Sequence, residues 1–427
     1  MTAGVDAPAE VLSPATYEEA ADLVRDAEAS GRKLIPSGLG NHLDLAGAPP
    51  RNAAILSLAR LSKIVRYEPD DFTAGIQAGI PLDVLRSELA KNRQEIPVDF
   101  AASPRGTIGG ALAQNRAGPR RGRSGTLRPY LIGVMGLRGG GRIYHAGGMV
   151  VKNVAGFDVM KLLIGSAGAF GAVLEANFKL RPIPAARSLR RVRFASASSA
   201  WELAREIRRR SLEPAVLSVL DPGADAALGA ALGSTGGPAW SLIWSFEGNE
   251  GAVKWLEGEA DRLLAECGKG AGHESTPFGE AERARAVEFL AGLREVEAAE
   301  RHRTLVLSLA TLPSDAETAA EDLAGAPEAP GCLASEASSG ISIARWTFTG
   351  GNSASLAKRI VAGARGIAER LGGSGRVLCA PWSPGALHLE ESLAPAAAPA
   401  LHRRFGEAFD PRGVFDARPA EATRRPA

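Results

Sequence analysis

The chain has 427 residues, of which 45% are hydrophobic and 23% charged, and its formal net charge is +2. This length predicts two or three domains at roughly 100–200 residues each, and the composition excludes a disordered chain, a collagen, a coiled coil and a secreted disulfide scaffold. The balance of 50 Lys+Arg against 48 Asp+Glu gives no reason to expect a nucleic-acid partner. Glycine is in excess, with 50 residues, or about 12% against a usual value of about 7%.

The cysteines indicate a reducing compartment. Cys267, Cys332 and Cys379 lie far apart in the sequence, and an odd number fits no closed disulfide framework. Because an ordinary iron–sulfur cluster takes four thiolates, we expect that this chain does not bind one alone.

Neither a leader peptide nor a membrane span is predicted. The first residues lack a basic start followed by an apolar run. The longest uncharged stretch, residues 226–246, is interrupted by Gly-Ser-Thr-Gly-Gly-Pro at 233–238, which makes a spanning helix improbable on sequence grounds. A cytoplasmic protein is expected, with any position at the inner membrane being peripheral and due to partner subunits.

The first half begins with a predicted helix and continues with strands. Ser13 to Glu19 supplies a helix start signal, and Ala20, Leu23, Val24 and Ala27 form an apolar face. A second helix is predicted from Pro81, a favourable first-turn residue. Strands are predicted at residues 33–36, 54–58, 64–67, 73–78 and 171–180.

After residue 184 the pattern changes to an alternation of helices and strands, which predicts an α+β domain with an antiparallel sheet. It is also compatible with two ferredoxin-like halves. Strands are predicted at residues 189–194, 215–220, 241–246, 305–310, 341–348 and 377–379. Helices are predicted at residues 200–210, 250–267, 280–293, 316–323, 353–371 and 396–409. The predicted domains are therefore residues 1–184 and 185–418, followed by a flexible tail at 419–427.

Four glycine-rich segments lie in the first half, at residues 37–42, 107–115, 118–128 and 152–171. The first begins like a dinucleotide fingerprint, but Leu43 occupies the third glycine position and no helix follows, so a Rossmann site is excluded. A glycine loop can bind phosphate through backbone N–H groups, or it can be a simple turn. Four such loops together suggest a long cofactor held between short strands.

Five arginines lie between Arg116 and Arg128. A run of like charge usually forms a solvated face. Its position within the glycine-rich half also suits a site for a polyanion or an acidic partner.

Residues 11–184 resemble the FAD-binding fold of vanillyl-alcohol oxidase, berberine bridge enzyme and para-cresol methylhydroxylase. The resemblance rests on Ser-Gly-Leu-Gly-Asn at 37–41, Thr-Ile-Gly-Gly at 107–110 and Gly-Ala-Phe-Gly-Ala-Val-Leu-Glu at 168–175. Within that fold, Lys-Asn-Val-Ala-Gly-Phe-Asp at 152–158 and Gly-Pro-Arg-Arg at 118–121 resemble the E-subunit family of bacterial glycolate oxidases. The implied fold is α+β: a two-part para-cresol methylhydroxylase-type FAD-binding domain followed by an antiparallel-sheet α+β cap domain.

The resemblance implies FAD as the cofactor and assigns residues to it. Residues 36–41 would form the loop that binds the pyrophosphate. Residues of the second and third segments would line the flavin and ribityl region, and Gly171 and Val173 would contact the adenine end. The complete set is Pro36, Ser37, Gly38, Leu39, Gly40, Asn41, Thr107, Gly109, Gly110, Asn115, Gly118, Gly125, Gly171 and Val173. Lys152, Asn153 and Asp158 have either a flavin-loop or a partner-surface role.

The FAD is expected to be non-covalent. Where this fold attaches FAD through histidine, that residue directly follows the second glycine of the first loop, whereas here Asn41 does and His42 is one residue later. The other histidines are isolated, so no metal site is predicted. No carboxylate or histidine is singled out as a catalytic base.

Three functions remain open. The first is the FAD-binding subunit of a glycolate (2-hydroxy acid) oxidase complex, whose partners, by the resemblance, are a second flavoprotein subunit and an iron–sulfur subunit. The second is a self-sufficient FAD oxidase of another hydroxy acid or alcohol. The third is a non-catalytic scaffold that has the same fold.

Overall fold

The computed structural model describes residues 10–41, 52–100, 106–149, 158–234, 237, 239–267, 273–350, 353–381 and 398–415. His42, Lys152, Asn153 and the predicted tail at 419–427 lie outside these residues. In the described part of the chain, no helix is long and apolar enough to cross a membrane.

The first half has four described α-helices, of which the first three begin where the sequence supplies a cap or a proline. Thr16 caps the first helix by accepting a hydrogen bond from the Glu19 N–H at 3.1 Å. Pro81 precedes the second helix, and Thr107 caps the third by accepting from the Gly110 N–H. These helices are α1 (Tyr17–Ala29), α2 (Leu82–Ala90), α3 (Ile108–Ala113) and α4 (Arg121–Ser124).

The strands of the first half form a small parallel sheet and a larger antiparallel one. They are β1 (Val11–Leu12), β2 (Lys33–Ser37), β3 (Ala53–Ser57), β4 (Ile64–Glu68), β5 (Thr73–Gln77), β6 (Gln94–Glu95), β7 (Leu131–Arg138), β8 (Arg142–Gly147), β9 (Ala172–Lys179) and β10 (Arg181–Pro182). The parallel sheet has the order β1-β3-β2 and the antiparallel sheet β4-β5-β9-β7-β8. β6 and β10 form a separate pair.

An eight-stranded antiparallel sheet organises the second half. The strands after residue 184 are β11 (Ala186–Arg187), β12 (Arg190–Phe194), β13 (Val216–Leu220), β14 (Trp240–Ser245), β15 (Glu247–Gly248), β16 (His273–Pro277), β17 (Thr304–Ala310), β18 (Cys332–Glu336), β19 (Ile341–Thr347) and β20 (Ser374–Cys379). The large sheet has the order β16-β12-β14-β13-β18-β19-β17-β20. β11 and β15 form a separate pair beside it.

Helices alternate with these strands, and one helix follows the last strand. They are α5 (Ala197–Arg209), α6 (Pro222–Leu232), α7 (Glu250–Cys267), α8 (Glu280–Gly292), α9 (Ala316–Ala324), α10 (Ser353–Arg370) and α11 (Ala398–Phe409). The order β12-α5-β13-β14-α7-β16 is a βαββαβ unit with α6 inserted, and β17-α9-β18-β19-α10-β20 is a second one. They join through the β13–β18 pair, so the sheet consists of two ferredoxin-like units side by side.

The apolar core of this sheet explains its stability. Trp201, Trp244 and Phe246 are almost completely buried against α5, α7 and neighbouring strands. Aromatic side chains bury the most area per residue, so they dominate the stabilisation of such a core. The predicted α+β class with an antiparallel sheet is confirmed.

The segment 398–415 returns to the first half. The Leu34 N–H donates to the Val414 carbonyl oxygen at 2.8 Å, which adds a contact at β2. Phe405 and Phe409 pack against Phe170, and Phe415 is fully buried in the core around α1. The predicted boundary at residue 184 remains a prediction, but this segment, assigned there to the cap, contacts the FAD-binding half.

Candidate functional site

A cavity of about 670 Å³ lies between the two halves of the molecule. The first half contributes the loop after β2, the α3 region and the loop before β9. The second half contributes the end of α8 and the strands β17, β19 and β20. The cavity is therefore long and borders both domains, as a site for an extended cofactor and a second ligand requires.

The loop at residues 36–41 forms one wall of this cavity. Gly38 lies so close to Thr107 that a Cβ on Gly38 would come within 2.2 Å of the Thr107 Oγ1. Gly40 has a φ of +83°, a left-handed conformation that favours glycine. Arg301 of the second half donates from Nη2 to the Asn41 carbonyl oxygen at 2.6 Å. The loop is thus held in position from both halves.

Gly109 and Gly110 have different surroundings although both line the cavity. A Cβ on Gly109 would approach the Ala78 Cβ to 2.7 Å, so this glycine permits close packing of α3 on β5. A Cβ on Gly110 would meet only the Thr107 Oγ1, at 3.3 Å, and otherwise has open space. The missing side chain of Gly110 therefore leaves space for a ligand, whereas that of Gly109 allows α3 to pack closely against Ala78.

Asn115 brings an unused polar atom to the site. It lines the cavity with a φ of +52°, and its buried Oδ1 has no hydrogen-bond partner among the described residues. A buried polar atom without a partner costs about 1–3 kcal/mol. A bound ligand that donates a hydrogen bond would remove that cost, which fits a cofactor with polar groups along its length.

The remaining predicted residues are placed as follows. Gly118 lines the cavity between Asp99 and Ala291, where a Cβ would be 2.6 Å from the Asp99 Cβ. Gly171, with a φ of +113°, and Val173 line it at the start of β9. Gly125 is not among the lining residues, and it ends α4 with a φ of +76°. The structure thus brings together all the predicted cofactor residues except Gly125.

Several lining residues were not predicted. Gly165, Ser166 and Gly168 belong to the fourth glycine-rich segment but were not assigned to the site. The second half adds Arg294, Glu295, Ser308, Ala310, Ile341, Ser374, Gly375, Arg376, Val377 and Leu378. No short motif marks these residues, because sequence-distant strands bring them together.

The arginine-rich segment is only partly a solvated face. Arg116 and Arg121 line the cavity, and Arg116 forms an ion pair with Glu295. Arg120 is buried, and Arg123 donates to the Glu213 carbonyl oxygen. Arg123 and Arg128 are exposed, whereas Arg116, Arg120 and Arg121 are buried or half-buried, so the charge run is not wholly solvent-exposed.

Arg120 is the centre of a buried ion-pair network between the halves. Its Nε contacts Asp99 at 2.7 Å, and its Nη1 contacts Glu95 at 3.0 Å and Glu247 at 3.3 Å. Arg187 pairs with the same Glu95 and Glu247. Burial acts to lower the pKa of Arg120, but the three carboxylates together raise it above its ordinary value. Both halves supply charges, so the network joins them.

Glu336 is a buried carboxyl group close to the arginines of the cavity. It is 8% exposed, and its Oε2 has no hydrogen-bond partner among the described residues. Burial raises the pKa of Glu336 to about 8, although attraction from Arg294 and Arg121 opposes this shift. The folded protein therefore retains a proton on Glu336 at neutral pH.

This raised pKa predicts a pH-dependent stability. Between pH 4.5 and about 8 the folded state binds the proton that the unfolded state has lost, so the free energy of unfolding falls as pH rises through that window. Glu336→Gln removes this loss, so its stability relative to wild type should increase by about 1–3 kcal/mol from pH 5 to pH 8. Urea denaturation at both pH values measures it. Exposed Glu202→Gln is the control, and pH dependence of Glu336→Gln identical to that of wild type contradicts the prediction.

The first-half sequence matches a known cofactor-binding family. Residues 8–147 match the family model described as the FAD binding domain. This match includes the loop at 36–41, α3 and the arginine-rich segment. The prediction that FAD is the cofactor is confirmed. The unused Asn115 oxygen and the open space at Gly110 fit a bound flavin nucleotide.

The overall fold is similar to that of a protein of known structure. Alkyldihydroxyacetonephosphate synthase superimposes with a TM-score of 0.68 at 18% identity, covering 95% of this chain and 75% of that one. This similarity concerns the fold alone. It extends over both halves, and the predicted FAD-binding-domain-plus-cap architecture is confirmed.

Curated relatives are oxidoreductases by name. The chain is 34% identical over 177 residues to D-2-hydroxyglutarate dehydrogenase of Xanthomonas citri pv. viticola, covering 42% of this chain and 38% of that protein. It is 29% identical over 215 residues to glycolate oxidase subunit GlcD of Bacillus subtilis, covering 50% and 46%. It is 35% identical over 159 residues to glycolate oxidase subunit GlcE of Escherichia coli, covering 37% and 44%. The matched region thus spans less than half of each relative.

Proposed function

We propose that this chain is the FAD-binding subunit of a glycolate-oxidase-type complex that oxidises a small 2-hydroxy acid. The observation that carries the proposal is the cavity, because glycine-rich walls from the matched first half face cationic side chains from the second. The relatives named glycolate oxidase and D-2-hydroxyglutarate dehydrogenase support the same reaction class.

The residues that would hold FAD along most of its length come from the first two glycine-rich segments. The backbone at 36–41 would face the pyrophosphate, and Gly110 would permit close approach of the cofactor. Asn115 would accept a hydrogen bond through its unused Oδ1. Bound FAD supplies a hydride acceptor for the carbon that bears the substrate hydroxyl.

The second half would orient the substrate. Arg294, just after α8, and Arg376 in β20 line the cavity, and a guanidinium can bind a carboxylate through two parallel hydrogen bonds. Both lining carboxylates among the described residues are already paired, Asp99 with Arg120 and Glu295 with Arg116. We therefore assign no catalytic base to the described lining.

Electron transfer would continue in another subunit. The sequence contains three cysteines, and a four-thiolate cluster cannot be built from them alone. Two relatives are glycolate oxidase subunits by name. The partners in the proposal are a second flavoprotein subunit and an iron–sulfur subunit.

The test is purification alone and after co-expression with those partners. The lone chain should carry non-covalent FAD that is released on acid precipitation, and it should reduce a quinone analogue slowly with a small 2-hydroxy acid, supplied as glycolate or as D-2-hydroxyglutarate. Co-expression should restore rapid turnover, because the relay to the acceptor is then complete. Full activity of the lone chain would support the self-sufficient oxidase, and absence of flavin would support the scaffold.

A further inference from the structure

The cavity contains more unpaired positive charge than a single carboxylate balances. Arg121, Arg294 and Arg376 all line it, and none forms an ion pair with a carboxylate of the described residues. The other lining charges cancel locally, since Arg116 pairs with Glu295, and Asp99 with Arg120. Three guanidinium groups are thus left facing a ligand.

These guanidinium groups come from separate elements and converge. Arg121 begins α4, Arg294 follows α8, and Arg376 lies in β20. Burial lowers the pKa of Arg294 to about 10; attraction from Glu336 opposes this shift, and repulsion from Arg121 adds to it. Burial also lowers the pKa of Arg121, with repulsion from Arg376. Like charges held this close are unfavourable until an anion lies between them.

Glu336 provides little compensation for this charge. It is not among the lining residues, and although Arg294 and Arg121 attract it, burial raises its pKa to about 8, so it is mostly neutral at pH 7. The diphosphate of FAD would be held at the loop 36–41, where Arg301 binds the Asn41 carbonyl oxygen. The arginines from α4, α8 and β20 remain for the second ligand.

Resting on the proposed function, we infer that the substrate is a hydroxy acid with a second anionic group, bound by Arg121, Arg294 and Arg376. One carboxylate would be oriented beside the oxidised carbon, and the second acidic group would balance the remaining guanidinium charge. Glycolate supplies only one such charge and should bind weakly. A planar carboxylate and a tetrahedral phosphate each present two oxygens that can accept parallel hydrogen bonds from one guanidinium group, so either could be the second anionic group.

The test is calorimetric titration of the purified chain with non-oxidisable ligands. Glutarate carries two carboxylates, phosphoglycolate a carboxylate and a phosphate, and butyrate one carboxylate. We expect one of the two dianions to bind at least about tenfold more tightly than butyrate. The tighter dianion identifies the second group. Equal affinity for butyrate and both dianions overturns the inference.

Variants identify the residues responsible. Arg294→Gln should lower the affinity for the preferred dianion by about tenfold to a hundredfold, whereas the affinity for butyrate should change less. Exposed Arg376→Gln should act in the same direction without risk to folding. Arg128→Gln, on the surface of the arginine-rich segment, is the matched control and should bind like wild type.

Flavin content separates this inference from the proposed function. If wild type lacks FAD but prefers a dianion, the proposed function fails and the charge site stands. If wild type is fully loaded and both variants bind the dianion normally, the inference fails and the flavoprotein stands. If Arg294→Gln and Arg376→Gln lose FAD without a change in dianion affinity, these arginines serve the cofactor and the inference is wrong.

Discussion

Gly110→Val is expected to abolish FAD loading while the fold remains intact. The Cβ position of Gly110 faces open space in the cavity, with the Thr107 Oγ1 at 3.3 Å as its nearest neighbour. A valine side chain would therefore occupy volume that the cofactor needs, and among the neighbouring protein atoms only the Thr107 hydroxyl would have to shift slightly. Flavin absorbance of the purified variant, with far-ultraviolet circular dichroism, measures the two properties separately.

Two further glycines serve as controls for this substitution. Gly363→Val lies on the exposed side of α10 with no atom near its Cβ position, and it should keep its flavin. Gly109→Ala should destabilise even the flavin-free protein, because its Cβ would collide with Ala78. A fully loaded yellow Gly110→Val protein would show that Gly110 serves only the turn into α3.

Arg120→Met is expected to destabilise the protein by about 3–5 kcal/mol, since it leaves buried carboxylates without their cation. Asp99 and Glu247 come from opposite halves, and both contact the Arg120 guanidinium. Methionine fills a similar length but offers no hydrogen bonds. In urea denaturation, the variant should unfold at a lower urea concentration than wild type. If the network couples the two halves in wild type, the variant should also show a separate transition for each half.

Arg128→Met is the matched control, because it removes an arginine from the same segment at an exposed position. It should change the free energy of unfolding by less than about 1 kcal/mol, as is usual for surface charges. Equal stability of Arg120→Met and wild type would mean that the carboxylates regain water or take up protons at little cost.

Element types were predictable where one periodicity dominates. The amphipathic face of α1 and the alternating pattern of β9 gave helices and strands close to those observed. α6 was missed because its Ala- and Gly-rich sequence has no polar face, although Asp221 and Pro222 mark its start. β7 was missed because Gly133 and Gly136 interrupt its apolar pattern, although the folded sheet accommodates both glycines. The strands β8, β16 and β18 were not predicted either.

The cofactor wall of the site was predictable, but the opposite wall was not. Glycine spacing draws attention to residues 36–41 and 107–118 because backbone conformation restricts which residues fit there. Arg294 and Arg376 have no such signal, since an arginine near a helix end or in a strand is common on surfaces. Their meaning depends on the packing of the second sheet against the first half, which is a tertiary property.

The return of residues 398–415 to β2 has a consequence for the order of folding during synthesis. The Leu34 N–H meets its partner, the Val414 carbonyl, only after about 380 further residues have been made. At about 5–20 residues per second this takes roughly 20–80 s. The ferredoxin-like units can be completed by the nascent chain during that interval, whereas the core around α1 stays open until Val414 and Phe415 have been made.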